Sequence, residues 1–260
     1  MGYQTIQVER RGPASVIRLQ RPEKLNAVSL EMAGEIEAAL GEAAATVGVS
    51  AVVLTGSEKA FSTGADLNDA MALQGAAGMH EFLRRHKAFH AKIEALPKPV
   101  LAAIEGYCLT GGLELAMVCD CRIAGEGAQF GVTSSKIGSV AGWGGTQRLP
   151  RLVGLAKAKE LLFLAEFVDA AEAFRIGLVN RVVPRGTALD EAVRWCEVLA
   201  ERAPFSLKLL KTAAQQGMQM DLASALELET SLTTAIYMTA DREEGMRAFL
   251  EKRKPVFRGV

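Results

Sequence analysis

The sequence predicts an α/β core over residues 1–190 followed by an α-helical region over residues 191–260. Three observations carry this reading. Short apolar runs ending at glycine, such as Ala51–Gly56 and Val100–Gly106, alternate with stretches whose apolar residues recur at helical spacing. Past Thr187 the strand-like runs stop, and helical stretches at 188–202, 205–217, 221–239 and 241–251 follow, broken at Pro204, Gly217 and Asp241. The chain has 260 residues, of which 49% are hydrophobic, which suffices for one large domain with ample core.

In chain order, residues 5–8 and 16–19 read as a hairpin turned at Arg11-Gly12-Pro13. A loop, Arg21 to Ala27, precedes Ser29, a good helix N-cap. From Leu30 the residues Met32, Ala33, Ile36, Ala39 and Leu40 share one helical face. Ala51–Gly56 is a buried strand, and Phe61–Asn68 a loop. Residues 79–95 form an amphipathic helix, with Phe82, Leu83, Phe89 and Ile93 apolar and Arg84, Arg85, Lys87 and Lys92 charged. Val100–Ile104 is a strand covered on both faces, and Arg122-Ile123-Ala124 another strand. The helical region reads as a segment that packs on a neighbouring subunit, the other reading being a tail folded on its own core.

Thirty basic and thirty acidic residues cancel, which argues against a general nucleic-acid partner. No apolar run is long enough to cross a bilayer. Strand-like alternation begins almost at the first residue, with no signal or transit pattern before it, so the expected location is cytoplasmic. Cys108, Cys119, Cys121 and Cys196 show no CxxC spacing and read as small buried hydrophobes. His80, His86 and His90 fall on one helix with no carboxylate or cysteine motif beside them. They read as a solvated face, and no metal site is expected.

Residues 97–120 are the candidate for chemistry, the other reading of this stretch being glycines placed for packing and a first-turn glutamate that complements the helix dipole. A buried strand turns at Gly106 and leads to a helix opening on Gly111 and Gly112, whose missing Cβ atoms allow close approach to the backbone. The first N–H groups of that helix have no partner within it and lie at the positive end of its dipole. Glu114 follows in the first turn among Leu113, Leu115, Ala116 and Met117, and a carboxylate in such surroundings must be paired, shifted or reactive. A dry pocket raises its pKa and the helix terminus lowers it; the sequence leaves open which prevails.

Six motifs occur in order: Arg21-Pro22-x-x-x-Asn26-Ala27, Ala60-Phe61-Ser62-Thr63-Gly64-Ala65-Asp66-Leu67, Gly111-Gly112-Leu113-Glu114-Leu115-Ala116, Phe130-Gly131, Gly144-Gly145-Thr146-Gln147-Arg148-Leu149, and Glu244 to Arg253. Together they resemble the enoyl-CoA hydratase/isomerase (crotonase) family over essentially the whole chain. The resemblance implies a crotonase-like superhelix of ββα repeats and a C-terminal helical region that builds a homotrimer, often paired into a hexamer. It implies an acyl-CoA thioester as substrate, so that coenzyme A arrives with the substrate and no separate cofactor is expected.

The family's two oxyanion-hole amides map to Ala65 and Gly111, where fixed dipoles stabilise a thioester enolate; one such donor is typically worth about 3–4 kcal/mol. Asp66, Leu67 and Asn68 map beside the pantetheine and acyl junction, and Lys24 and Leu25 to the coenzyme A-contacting segment. Asp66 reads as a loop-fixing acceptor. Glu114 maps to the first hydratase glutamate, the base that activates water. The second glutamate, which protonates the α-carbon, is replaced by Ser134, and a serine hydroxyl is far too weak an acid to take its place directly. Trp143 reads as a wall of the acyl pocket, with plain packing the other reading. A dehalogenase aspartate and a decarboxylase histidine are unmatched, Ala65 holding the latter's place. Thr133, Lys136, Gly138 and Ser139 echo the dihydroxynaphthoyl-CoA synthase branch, but its following aspartate is Ala141 here. Hydratase-type chemistry with Glu114 as single carboxylate is the first expectation. A double-bond isomerase, another acyl-CoA lyase or hydrolase, and a catalytically weak CoA-binding trimer are the alternatives.

Overall fold

A computed structural model describes residues 2–260. The chain opens with the expected hairpin, β1 (Ile6–Arg11) and β2 (Ala14–Leu19), paired antiparallel from Ile6↔Leu19 to Arg11↔Ala14. Helix α1 (Leu30–Ala45) starts where Ser29 accepts the Met32 amide at 3.1 Å, and it buries the apolar face read from the sequence. There follow β3 (Ala51–Thr55), β4 (Ala60–Ser62), α2 (Leu67–Met71), α3 (Gly75–Glu94), β5 (Val100–Ile104), β6 (Tyr107–Leu109), α4 (Gly111–Met117), β7 (Cys121–Gly125) and β8 (Gln129–Gly131). A 3-10 turn at Ser134–Ile137 leads to α5 (Gly145–Val153), α6 (Leu155–Leu164), β9 (Val168–Asp169), α7 (Ala170–Arg175) and β10 (Arg181–Val183). The helical end comprises α8 (Ala188–Ala200), α9 (Pro204–Gly217), α10 (Leu222–Ile236) and α11 (Ala240–Leu250).

Two sheets form. The larger has the order β1-β2-β3-β5-β7-β10, parallel from β2 onward, and the smaller has the order β4-β6-β8-β9. Each turn of chain therefore lays one strand in the large sheet and the next, short one in the small sheet before a helix, which is a ββα superhelix. Strand periodicity sorts the core. Val52, Leu54, Val100, Ala102 and Ile104 face α1, α3 and α4, while Ala51, Val53, Leu101 and Ala103 face α8 through Ala188, Ala192 and Cys196. The short strands β4, β6 and β8 were not legible in the sequence, since three residues are too few to display a period; β4 lies in the stretch read as loop.

α8 straddles residue 190 and covers one face of the large sheet, so it belongs physically to the core. α9 and α10 bury no residue within the chain. α9 is tied down by Lys211, whose Nζ lies 2.8 Å from Asp120. The tail folds back on α11, where buried Asp241 accepts the amides of Arg258 at 2.6 Å and Gly259 at 2.7 Å. Among the described residues, no helix is long and apolar enough to cross a membrane.

Candidate active site

Three segments meet around the start of α4. The first is the Arg21–Val28 loop. Asn26, fully buried and left-handed at φ +56°, accepts the Arg21 amide at 2.9 Å and donates to Ala60 O at 2.9 Å. Leu25 O accepts the Thr63 amide, Val28 N donates to Gly64 O, and Asp66 N donates to Val28 O. The Arg-Pro loop is thereby zipped to the Thr63–Asp66 segment, which sets Lys24 (exposed) and Leu25 (half-buried) beside it. Asp66 holds the join: it accepts Arg21 Nη2 at 2.7 Å and caps α2 through the Asn68 amide at 3.0 Å. The Arg21 guanidinium pulls its carboxyl below the ordinary aspartate range. Leu67 and Asn68 are exposed at the start of α2.

The second segment is the turn into α4. A Cβ on Gly64 would lie 2.9 Å from Gly111 N, and one on Gly111 would lie 3.1 Å from Ala65 N and 2.6 Å from the Trp143 ring. Backbone thus meets backbone at a distance only glycine permits. Among the described residues, the Ala65 and Gly111 amides donate to no acceptor in the chain. Just before Gly111, Thr110 sits at φ +48°, ψ −113°, an unusual conformation for a β-branched residue. It is held there by four bonds. Its N–H donates to Gly131 O, its O accepts the Glu114 amide, and its Oγ1 bonds the Thr133 hydroxyl at 2.8 Å and accepts the Thr133 amide at 3.0 Å. Thr133 precedes Ser134, which is buried at the head of the 3-10 turn, so Ser134 is tethered one residue away from the α4 turn.

The third segment is the Trp143–Gly145 turn. Glu114 is 2% exposed, and its Oε1 accepts the amides of Trp143 at 2.8 Å and Gly145 at 2.6 Å; among the described residues Oε2 accepts none. Burial outweighs those two bonds and the charges of Arg148 and Lys87, and the carboxyl pKa rises to about 7. Trp143 is 3% exposed, stacked on His86 at 3.9 Å between ring centroids and set against Gly111. Its ring is a packed wall behind the glycine, while its backbone grips Glu114.

His86 and His90 correct the expectation of a solvated helix face. Both are fully buried because the Trp143 turn crosses α3 there, and only His80 of the three is exposed. His90 Nδ1 lies 3.1 Å from Trp143 O, and burial pushes its pKa down to about 3. Cys108, Cys119 and Cys196 are buried, as expected, with Cys121 half-buried. A cavity of about 870 Å³ is bordered by Trp143 and Gly144 and by Lys87, Arg148, Lys211 and Met218 among others. Ala65, Gly111 and Glu114 do not line it.

Two free amides beside a buried carboxylate of near-neutral pKa are suited to polarising a carbonyl and moving a proton. Residues 9–260 match the enoyl-CoA hydratase/isomerase family. The chain belongs to that family. Among relatives, it is 39% identical over 255 residues to the short-chain-enoyl-CoA hydratase of Clostridium acetobutylicum, covering 98% of this chain and 97% of the relative. It is 40% identical over 258 residues to the crotonyl-CoA hydratase of Syntrophomonas wolfei, covering 99% of each. Among solved structures, an enoyl-CoA hydratase from Bacillus anthracis superposes with a TM-score of 0.93 at 37% identity, covering 99% of this chain and 100% of that one. The ββα superhelix is thus that of the enoyl-CoA hydratase/isomerase family.

Proposed function

We propose that the protein is an enoyl-CoA hydratase in which the Ala65 and Gly111 amides hold the thioester oxygen and Glu114 activates the attacking water. The observation that carries this reading is Glu114. It is a buried carboxyl pinned through one oxygen, with the other free, its pKa lifted to about 7 beside two unpartnered amides. Such a group takes a proton from water in the working pH range, where an ordinary glutamate at 4.5 is a poor base. Negative charge developing on the thioester oxygen meets donors already fixed in place by Gly64, Gly111 and Thr110. Lys24 and Leu25, on the loop zipped to Ala65, contact the coenzyme A moiety, and Leu67 and Asn68 flank the acyl junction. The substrate brings the coenzyme A, and the reaction calls for no further cofactor.

Ser134 stands where a second carboxylate is expected, and this favours one competing reading. With a single proton carrier, double-bond isomerisation needs one shuttle, whereas hydration must return a proton to the α-carbon from a water bridged to Glu114. The assembly in this proposal is a homotrimer or a pair of trimers, supported by apolar residues left uncovered on the last three helices (Leu210, Leu222, Leu226, Phe249). The proposed setting is the cytoplasm, in keeping with four cysteines that form no disulfide. Neither nucleic acid nor membrane enters the proposal.

The test is crotonyl-CoA hydration followed by loss of the conjugated thioester absorbance, with a 3-enoyl-CoA run in parallel. Glu114→Gln is expected to lower kcat by about 10²–10⁴-fold, and wild-type kcat/KM to fall as pH drops through about 7. Turnover of crotonyl-CoA unaffected by the substitution contradicts the assignment, and turnover of the 3-enoyl ester alone selects the isomerase.

A further inference from the structure

The turn that grips Glu114 is itself gripped from behind. The Trp143 peptide uses both ends: its N–H donates to Glu114 Oε1, and its carbonyl accepts Arg148 Nη1 and His90 Nδ1, each at 3.1 Å. Arg148 is fixed in turn, because its Nε and Nη2 donate to the two carboxylate oxygens of Glu94 at 2.8 Å each. A bidentate fork of this kind sets the plane and position of the guanidinium, and the remaining nitrogen is then aimed at the carbonyl. The glycines of the turn fit the same picture. Gly144 adopts φ +112°, and a Cβ there would collide with Arg148 Nη1, while a Cβ on Gly145 would lie 2.9 Å from Glu114 Oε1. The path from α3 through Glu94, Arg148 and the Trp143 peptide to Glu114 is continuous, and each join is a charge-assisted or backbone hydrogen bond.

We infer that Arg148, clamped by Glu94, is a positioning residue that holds the Trp143–Gly145 turn in the place where it orients the Glu114 carboxylate. The inference rests on the reading of Glu114 as the base. It assigns Arg148 two separable effects. The fork supplies geometry, and the positive charge favours the ionised form of Glu114, opposing the rise caused by burial. The charged groups around Glu114 are Arg148 on α5 and Lys87 on α3, with Glu94 engaged by Arg148; burial on α3 lowers the pKa of His86 and pushes that of His90 down to about 3.

The experiment compares Arg148→Met, Arg148→Lys and Glu94→Gln with wild type and Glu114→Gln in crotonyl-CoA hydration across pH. Arg148→Met is expected to lower kcat by about 10–100-fold, to leave KM within about twofold, and to move the rising limb of the pH–rate curve to higher pH. Arg148→Lys keeps the charge without the fork, so the limb returns toward its wild-type position while kcat stays low. Glu94→Gln loosens the fork and leaves the Arg148 charge uncompensated, so a smaller loss in kcat comes with a limb shifted to lower pH. This variant serves if Arg148→Met does not fold. Low kcat in folded Arg148→Lys despite a restored limb, together with opposite limb shifts in Arg148→Met and Glu94→Gln, supports the inference, because an arginine acting through its charge alone recovers kcat once lysine restores that charge. Unchanged kcat and an unchanged limb in the folded variants, with Glu114→Gln inactive, overturn it alone. Full activity of Glu114→Gln overturns the reading beneath it.

Discussion

The strands around the active site and the helices at the C-terminus differ in what they hide. Every residue of β3 and β5 is buried, and so is every residue of α4, whereas α9 and α10 bury none. Both regions are rich in apolar side chains. In the core those side chains meet α1, α3 and α8, but along the last three helices Leu210 stays 63% exposed, Leu222 74% and Phe249 82%. Within this chain the segments carrying Ala65, Gly111 and Glu114 are already packed, while the last three helices leave apolar side chains uncovered. In the proposed assembly a second copy covers them.

The sharpest way to break the core side of this comparison is at Gly112. A Cβ there runs into the carbonyl of Ser62, backbone against backbone, with no side chain free to yield. Gly112→Ala is expected to destabilise the fold by about 1–3 kcal/mol or more and to abolish turnover, as read by urea unfolding and hydration rate together. A variant with wild-type stability shows that the turn has slack which the close packing denies. On the helical side, Leu222→Asp combined with Leu226→Asp is expected to convert the assembly to smaller species in sedimentation while helical circular dichroism is retained. An unchanged oligomer places the interface elsewhere. The last effect concerns the pH dependence of stability at Glu114. Its folded pKa of about 7 lies above the ordinary 4.5, so the stability linked to its proton is full below about 4.5 and is lost as pH rises through 7. Glu114→Gln should therefore be more stable than wild type at pH 8, by about 1–3 kcal/mol, and the gap should narrow toward pH 5. A gap of equal size at both pH values contradicts the buried, proton-holding carboxyl.

Much of this was legible in the sequence where a residue type is itself the signal. Gly111-Gly112 announces close approach, Glu114 among apolar neighbours announces a burdened carboxyl, and Ser29 and Pro204 mark helix limits, whereas Asp241, read as a break, lies inside α11, which Thr239 caps. The helical end was read as four helices and contains α8 to α11 at nearly those bounds. What stayed hidden depends on groups that every residue carries. The amides of Trp143 and Gly145 reach Glu114 across 29 and 31 residues, and nothing in their side chains marks that role. His86 and His90 were misplaced for a related reason: helical spacing says which residues share a face, not what lies across from it. The pKa of Glu114 was undecidable because two opposing influences differ only in magnitude, and burial is a property of the whole fold.

The central claim is that the Ala65 and Gly111 amides share one thioester oxygen with Glu114 poised beside the acyl chain. A crystal structure with acetoacetyl-CoA tests it most directly. The account predicts the thioester oxygen about 3 Å from both nitrogens, with Glu114 Oε2 turned toward the β-carbon. A thioester oxygen bound away from either amide, with the coenzyme A in place, contradicts it.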